Sequence, residues 1–466
     1  MKKAISAIIL SGAVLLLSAA EHLIAYPGKP LPVEKFAAEE LAAYLAKSTG
    51  LPARAIAENQ PEAANAGFFV GRCETLKKQP FYTDKLATEE FIITAKDGKL
   101  YIWGDDGPGK PQVATIRGGT LFGVYDFLEK EQGIAWLWPG TDGEDVPRRT
   151  WAPPVDFSRR SAPAFAIRGF QLSYMKFEPK GIAAEMGLWC RRQRLGWAVR
   201  AWSGHSWSYY VFKAGIDKTH PEWLAMYGGE RRGPHCCTSN PEFRNYIVEQ
   251  VLNNPINKNK DIASISPSDG FGFCECENCR KLDKPGTDYS HGLPDLSNRH
   301  WAYANYIARE VKKRDPGRGV AMFAYTSYRN APDNIDIFED NLYISMTFSK
   351  GYFVKPGEKK EFYDRLEKWK SKNPKIIGRE YWGMHYWLSM PYIFTRQIGE
   401  NMPRLHQAGL VGMYGEAQKD FATQGPNYFL VPKMMWNPSA DPAKILDRYY
   451  QGFGPAGGDI RAYFDT

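Results

Sequence analysis

The chain has 466 residues, 43% hydrophobic, 24% charged and 14% aromatic, a balance that excludes both a disordered chain and a multi-span membrane protein. Its formal charge is +8, but the basic excess is scattered, so there is no contiguous tract of the kind that grips nucleic acid. The length holds two or three domains, or one barrel of about 250 residues with a smaller companion.

Residues 1–20 read as a signal peptide. Met1-Lys2-Lys3 is the positive start, Ala4 to Leu17 is almost continuously apolar, and Ser18-Ala19-Ala20 supplies the small residues before a cleavage expected at Glu21. The apolar run is shorter than the roughly 20 residues of a membrane span, so the expectation is a secreted or periplasmic chain with no span after cleavage.

Residues 21–154 predict a small α+β domain. A strand at His22–Tyr26 precedes a helix from Val33 to Lys47, whose Ala37, Leu41, Tyr44 and Leu45 share one face and whose stop is Gly50. A strand at Gly67–Arg72 and a hairpin, Glu90–Thr94 and Lys99–Trp103 around Asp97-Gly98, supply the sheet. A second helix runs from Thr115 to Lys130, and the Pro-rich stretch Trp151–Pro163 reads as a linker.

Residues 155–466 change to βα units, and the predicted fold is a (β/α)8 TIM-like barrel. Strands are expected at Ala166–Phe170, Ala198–Trp202, Ala263–Ser266, Val320–Tyr325, Leu342–Thr347, Ile376–Tyr381 and Leu410–Tyr414. Helices fit Gly181–Arg194, Pro241–Leu252, Asn298–Lys313, Lys359–Lys370 and Pro391–His406. The eighth strand is not visible. A repeat of this length without a Gly-rich phosphate turn still fits a barrel better than a nucleotide-binding sheet. The final Arg461–Thr466 reads as the start of a helix, so the barrel is expected to be truncated at its C-terminus.

Working residues of such a barrel lie at the C-terminal ends of its strands. Asp269, Glu380 and Glu416 each end an apolar run there. Two carboxylates facing across a cleft, one protonated and one ionised, are what glycosidic cleavage needs. A separation of about 5 Å would give retention and about 6.5–9.5 Å inversion, whereas in a substrate-assisted route an N-acetyl group attacks while Asp269 orients it. The plainer reading is salt bridging to Arg379 or Lys419.

Aromatic residues crowd the same strand ends. Trp202, His205, Tyr325, Tyr381, Trp382, His385 and Tyr414 are the candidate substrate contacts, because a sugar ring stacks its C–H face on an indole or phenol and offers hydroxyls to polar neighbours. As loop anchors they would serve packing alone. The expected partner is an oligosaccharide or glycan, with no cofactor.

Five of the seven cysteines group as Cys236-Cys237 and Cys274-x-Cys276-x-x-Cys279. Three of these thiols with one of Cys236, Cys237 or His235 suit tetrahedral zinc, while export favours disulfides, and free thiols are the third reading. All three are structural rather than catalytic; a zinc hydrolase using the cluster is a further alternative and would need an open coordination position. The loop from Gly270 to about Asn298 is expected to be cross-linked, with at least two of the five sulfurs at bonding or shared-metal distance.

Two kinds of motif carry a family likeness. Ala37-Ala38-Glu39-Glu40-Leu41 and Gly118–Glu129 resemble the domain that precedes the barrel in α-glucuronidases and β-hexosaminidases. His220-Pro221-Glu222-Trp223, Ser264–Gly270 and Phe273-Cys274-Glu275-Cys276-Glu277-Asn278-Cys279 resemble the domain-of-unknown-function 4838 family over most of the chain. Some members of that family are classed in glycoside hydrolase family 163, endo-β-N-acetylglucosaminidases that trim complex N-glycans. The resemblance implies the barrel and glycosidase chemistry. A non-catalytic carbohydrate-binding barrel and an α-glucuronidase-like hydrolase are the alternatives.

Overall fold

The computed structural model describes residues 21–150, 157–171, 181–290, 293–348, 355–373, 375–383, 391–417 and 421–465. The signal-peptide reading and His385 fall outside them.

The N-terminal part is built on a six-stranded sheet ordered Ala53–Ala57, His22–Tyr26, Phe68–Val70, Lys99–Gly104, Phe91–Lys96 and Phe157–Ser161. The expected hairpin forms because Asp97 and Gly98 both take positive φ, 50° and 72°, the conformation a two-residue turn between right-twisted strands requires. Alternation then sorts the side chains. Ile24, Phe68, Val70, Ile93 and Ile102 meet the helices Pro32–Thr49 and Gly119–Lys130, while Ala25, Phe69, Ile92, Tyr101 and Trp103 form a separate buried cluster on the other face. The second helix starts later than Thr115 because Gly118 bridges to Asp106 and Gly119 runs against the adjacent backbone. A Cβ at Gly119 would collide with the Glu90 carbonyl and lie 2.5 Å from the Asp105 nitrogen. Gly119→Ala is therefore expected to cost about 1–3 kcal/mol through overpacking, read as a lowered urea midpoint.

The stretch expected to be a linker supplies an edge strand instead. Phe157–Ser161 pairs antiparallel with Phe91–Ala95. Three further strands, Ala53–Ala57 and the two of the Leu224–Tyr227/Glu230–Cys236 hairpin, also go beyond the predicted set.

The second sheet has seven strands among the described residues, in the order Gly196–Trp197, Ile167–Gln171, Gly412–Glu416, Ile376–Tyr381, Leu342–Thr347, Gly319–Ala324 and Ile262–Ser264. Every neighbouring pair from Ile167–Gln171 to Ile262–Ser264 is parallel. The sheet is strongly curled. The segment 198–202, expected as one regular strand, reaches both edges: Ala198 N–H donates to the Ala166 carbonyl and Trp202 N–H to that of Ile262, each at 2.9 Å. Inside the curl Ile167, Ala201, Ile262, Ala321, Ile377 and Tyr414 form one buried cluster, bringing together side chains from opposite edges of the sheet. Helices that include Pro241–Asn253, Ser297–Arg314, Pro356–Lys370 and Thr395–Gln407 alternate with the strands along the chain. The architecture is an α/β protein with an N-terminal mixed sheet and a parallel sheet curled in the manner of a TIM-like barrel.

Trp436, at the end of the Phe421–Trp436 helix, joins the two parts. Its ring packs on Phe91 at 5.7 Å and Phe122 at 5.6 Å, and its Nε1 donates to Ser161 Oγ at 2.9 Å. No helix among the described residues is long and apolar enough to cross a membrane.

Candidate active site

A strand points alternate side chains to opposite faces, and this period decides which strand-end residues share a cleft. In Ile376–Tyr381 the inward set is Ile377, Arg379 and Tyr381. In Gly412–Glu416 it includes Tyr414 and Glu416, with Arg379 in register with Tyr414 and Tyr381 with Glu416. Arg379 thus sits diagonally across from Glu416, and its Nη2 ion-pairs with Glu416 Oε1 while Nη1 donates to the Tyr381 hydroxyl at 3.0 Å. Both charged side chains are buried.

The surroundings are aromatic and polar. The Arg379 guanidinium lies 5.0 Å from the Phe323 ring and 5.1 Å from that of Tyr381, and the Tyr325 phenol neighbours that of Tyr381. Tyr414 OH lies 3.1 Å from Ser345 Oγ. Burial by itself would lower the Arg379 pKa, but Tyr414, Tyr381 and Glu416 outweigh it and hold the guanidinium above its ordinary value. For Tyr381, burial is the main cause of a raised pKa, with Arg379 opposing it.

His205 connects this group to the third carboxylate. Its Nδ1 donates to the Pro267 carbonyl at 2.7 Å, which leaves Nε2 facing Asp269 Oδ1 at 3.7 Å. The ring packs edge-on to Phe323 at 5.0 Å and near Tyr325 at 6.0 Å. Burial lowers the His205 pKa, only partly offset by Pro267 and Asp269. Asp269 itself is 69% exposed, so it faces solvent at the rim while Glu416 lies deep. Trp202 is half-buried and edge-on to Tyr209 and Tyr210.

Two expected site residues lie elsewhere. Glu380, one residue from Arg379, projects from the opposite face into an apolar recess lined by Phe348, Ile398, Met402, Leu405 and Met413, beneath the Thr395–Gln407 helix. Its Oε1 accepts the Tyr381 backbone N–H at 2.8 Å. Trp382 lines the same recess. Neither can face Glu416 across the mouth, so the pairing of Glu380 with Glu416 is corrected: strand alternation separates them. Arg379 is the inward residue that the emphasis on carboxylates passed over, and its spacing of two from Ile377 and Tyr381 is the signal that finds it.

Behind the Tyr325–Tyr328 turn lies His300, fully enclosed, donating from Nδ1 to the Leu296 carbonyl at 3.0 Å and stacked on Tyr328 at 4.7 Å. Burial, with a smaller push from the Arg299 charge, lowers its pKa to about 3. Its unfolded value is about 6.5, so the proton is taken up on unfolding; the contribution to stability is complete above that pH and drains away as pH falls toward 3. The loss between pH 7 and pH 5 is about 2 kcal/mol, and His300→Asn is expected to flatten the urea-unfolding stability profile by that amount across this window.

The grouped cysteines also come together. Cys237 Sγ lies 3.7 Å from both Cys276 Sγ and Cys279 Sγ, and with Cys274 all four sulfurs fall within 4.8 Å of one another. These separations are far beyond a disulfide bond of about 2.05 Å, and the disulfide reading is corrected accordingly. Cys236 points instead into the main core.

No curated protein matches the sequence. Among solved structures, the fold is similar to a family GH115 4-O-methyl-α-glucuronidase, BtGH115A, described as specific for decorated arabinogalactans (TM-score 0.55, 12% identity, covering 96% of this chain and 62% of that one). It is also similar to a family 89 glycoside hydrolase from Clostridium perfringens in complex with PUGNAc (TM-score 0.50, 11% identity, covering 90% and 50%). The chain therefore spans about half to three-fifths of the length of these two proteins. At such identities the likeness is one of fold. Over residues 138–465, well over half its length, the sequence matches the family described as a domain of unknown function, and on that match the chain belongs to the DUF4838 family.

Proposed function

We propose that the chain is an exported glycoside hydrolase of (β/α)8 type that cleaves glycosidic bonds in a complex glycan, in the manner of an endo-β-N-acetylglucosaminidase. The observation that carries this reading is the inward cluster at the strand ends: a buried Glu416 held by Arg379, ringed by Tyr381, Tyr325 and Tyr414, with His205 and Asp269 at its rim. The motif resemblance to a family some of whose members are classed as glycosidases and the fold shared with two glycoside hydrolases support it. Glu416, facing a fixed cation, is suited to act as the ionised base or nucleophile; Asp269 takes the second carboxylate role, as acid or as the group that orients an N-acetyl nucleophile. Tyr325, Tyr381 and Trp202 offer stacking faces, and His205 a polar contact for sugar hydroxyls.

One observation favours a second reading. The Glu416–Arg379 pair is the kind of neutralised carboxylate a carbohydrate-binding barrel would keep. The experiment is to incubate the protein with N-acetylglucosamine-containing and glucuronate-decorated glycans and follow products by chromatography, with calorimetry in parallel. Time-dependent cleavage is expected. Saturable binding of the same glycans with no product would replace the hydrolase reading by the binding one.

A further inference from the structure

We propose that Cys237, Cys274, Cys276 and Cys279 hold a structural zinc ion that clamps the wall of the cleft. Zinc–thiolate bonds of about 2.3 Å in a tetrahedron place neighbouring sulfurs about 3.8 Å apart. The Cys237–Cys276 and Cys237–Cys279 separations, both 3.7 Å, match that edge.

Three further features fit a thiolate centre. The Met226 N–H points at Cys274 Sγ at 3.2 Å, and Ser239 Oγ lies 3.2 Å from both Cys237 Sγ and Cys279 Sγ, the hydrogen bonds to sulfur that orient ligands around a metal. Three of the four cysteines are buried, and Ala225 and Met226 cover them in a cluster separate from the main core. Binding zinc releases the four thiol protons to solvent and leaves a centre of net charge −2. Two cations stand beside it: Arg244, anchored on the Thr238 carbonyl at 2.6 Å, and Arg299, anchored on the Cys274 carbonyl and paired with Asp283. Four protein sulfurs close the coordination sphere, so the ion braces the fold and has no open position for hydrolysis.

The clamp joins segments distant in sequence. Cys237 follows the Leu224–Cys236 hairpin, and the other three follow Asp269. Glu275 N–H donates to the Met226 carbonyl at 2.6 Å, and His235 Nε2 lies 3.1 Å from the Gly270 carbonyl. Fixing the cysteines thus fixes the backbone that carries Pro267 and Asp269, the two partners of His205. This inference does not depend on the hydrolase reading.

The test is elemental analysis of the full-length chain purified without added metal or chelator. One zinc per chain is expected, released in step with mercurial titration of the thiols, and a chain reduced, stripped and refilled with cobalt should show the charge-transfer absorption of tetrahedral thiolate cobalt. Cys276→Ser should lose the zinc, while Cys236→Ser, next in sequence but outside the cluster, should keep it. A metal-free chain whose intact mass shows these cysteines oxidised to disulfides would overturn the proposal, as would iron in place of zinc or full zinc in Cys276→Ser. If Cys276→Ser does not fold, the wild-type metal content and the cobalt spectrum decide.

Discussion

Glu416→Gln is expected to lower the turnover of glycan cleavage by about 10²–10⁴-fold, the range for a positioned acid–base or nucleophilic carboxylate, while glycan binding changes only a few-fold. The substitution keeps the shape of the side chain and removes the charge that faces Arg379. An effect on turnover with little on binding marks an interaction made chiefly in the transition state. Because the variant leaves a buried guanidinium without its counter-ion, circular dichroism and glycan calorimetry must accompany the assay. Glu380→Gln is the matched control. It alters a carboxyl on the outer face of the same strand, so cleavage is expected to stay near the wild-type rate even if melting changes. Equal losses in both variants would point to stability rather than chemistry.

Arg168→Met is expected to destabilise the protein by about 3–5 kcal/mol, the cost of breaking one side of a buried ion pair. Arg168 lies on the Ile167–Gln171 strand of the curled sheet, and Glu89 precedes the Phe91–Lys96 strand of the N-terminal sheet; both side chains are fully enclosed. The Arg168 Nη2 donates to Glu89 Oε2 at 2.6 Å, Nη1 to the Phe165 carbonyl at 2.7 Å and Nε to the Arg194 carbonyl at 3.1 Å, with the Trp436 ring 5.3 Å from the guanidinium. A methionine fills the volume but leaves two carbonyls and a carboxylate without their donor. Urea unfolding of Arg168→Met, Glu89→Gln and the double variant measures the coupling. The double variant should lose much less than the sum of the two, and a wild-type midpoint for Arg168→Met would refute the role given to the pair.

Much of the frame was legible where local chemistry agreed with tertiary need. The strands His22–Tyr26, Leu342–Thr347 and Ile376–Tyr381 fall on the predicted residues because each is an apolar run bounded by polar or turn residues. Phe157–Ser161 was not legible: one phenylalanine followed by Ser-Arg-Arg-Ser carries no strand pattern, and only pairing with Phe91–Ala95 makes it one. The Phe421–Trp436 helix contains Pro426 and Pro432, which read locally as breakers, yet most of its side chains are buried and packing overrides them. At the site, strand ends singled out Glu416, Asp269 and Glu380 alike and could not by themselves separate Glu380 from Glu416. That distinction follows from the two-residue period through Ile377, Arg379 and Tyr381, and from the register between neighbouring strands. The cysteine spacing pointed to thiols that meet, and four of the five grouped cysteines do.

The most direct test of the central claim is a crystal structure of Glu416→Gln with an uncleaved glycan. The sugar is expected at the mouth of the curled sheet, with one glycosidic oxygen or anomeric carbon beside residue 416, a ring face on Tyr325, Tyr381 or Trp202, and hydroxyls or an N-acetyl group reaching His205 and Asp269. A glycan bound away from these residues, or turned over by the variant at the wild-type rate, would contradict the account.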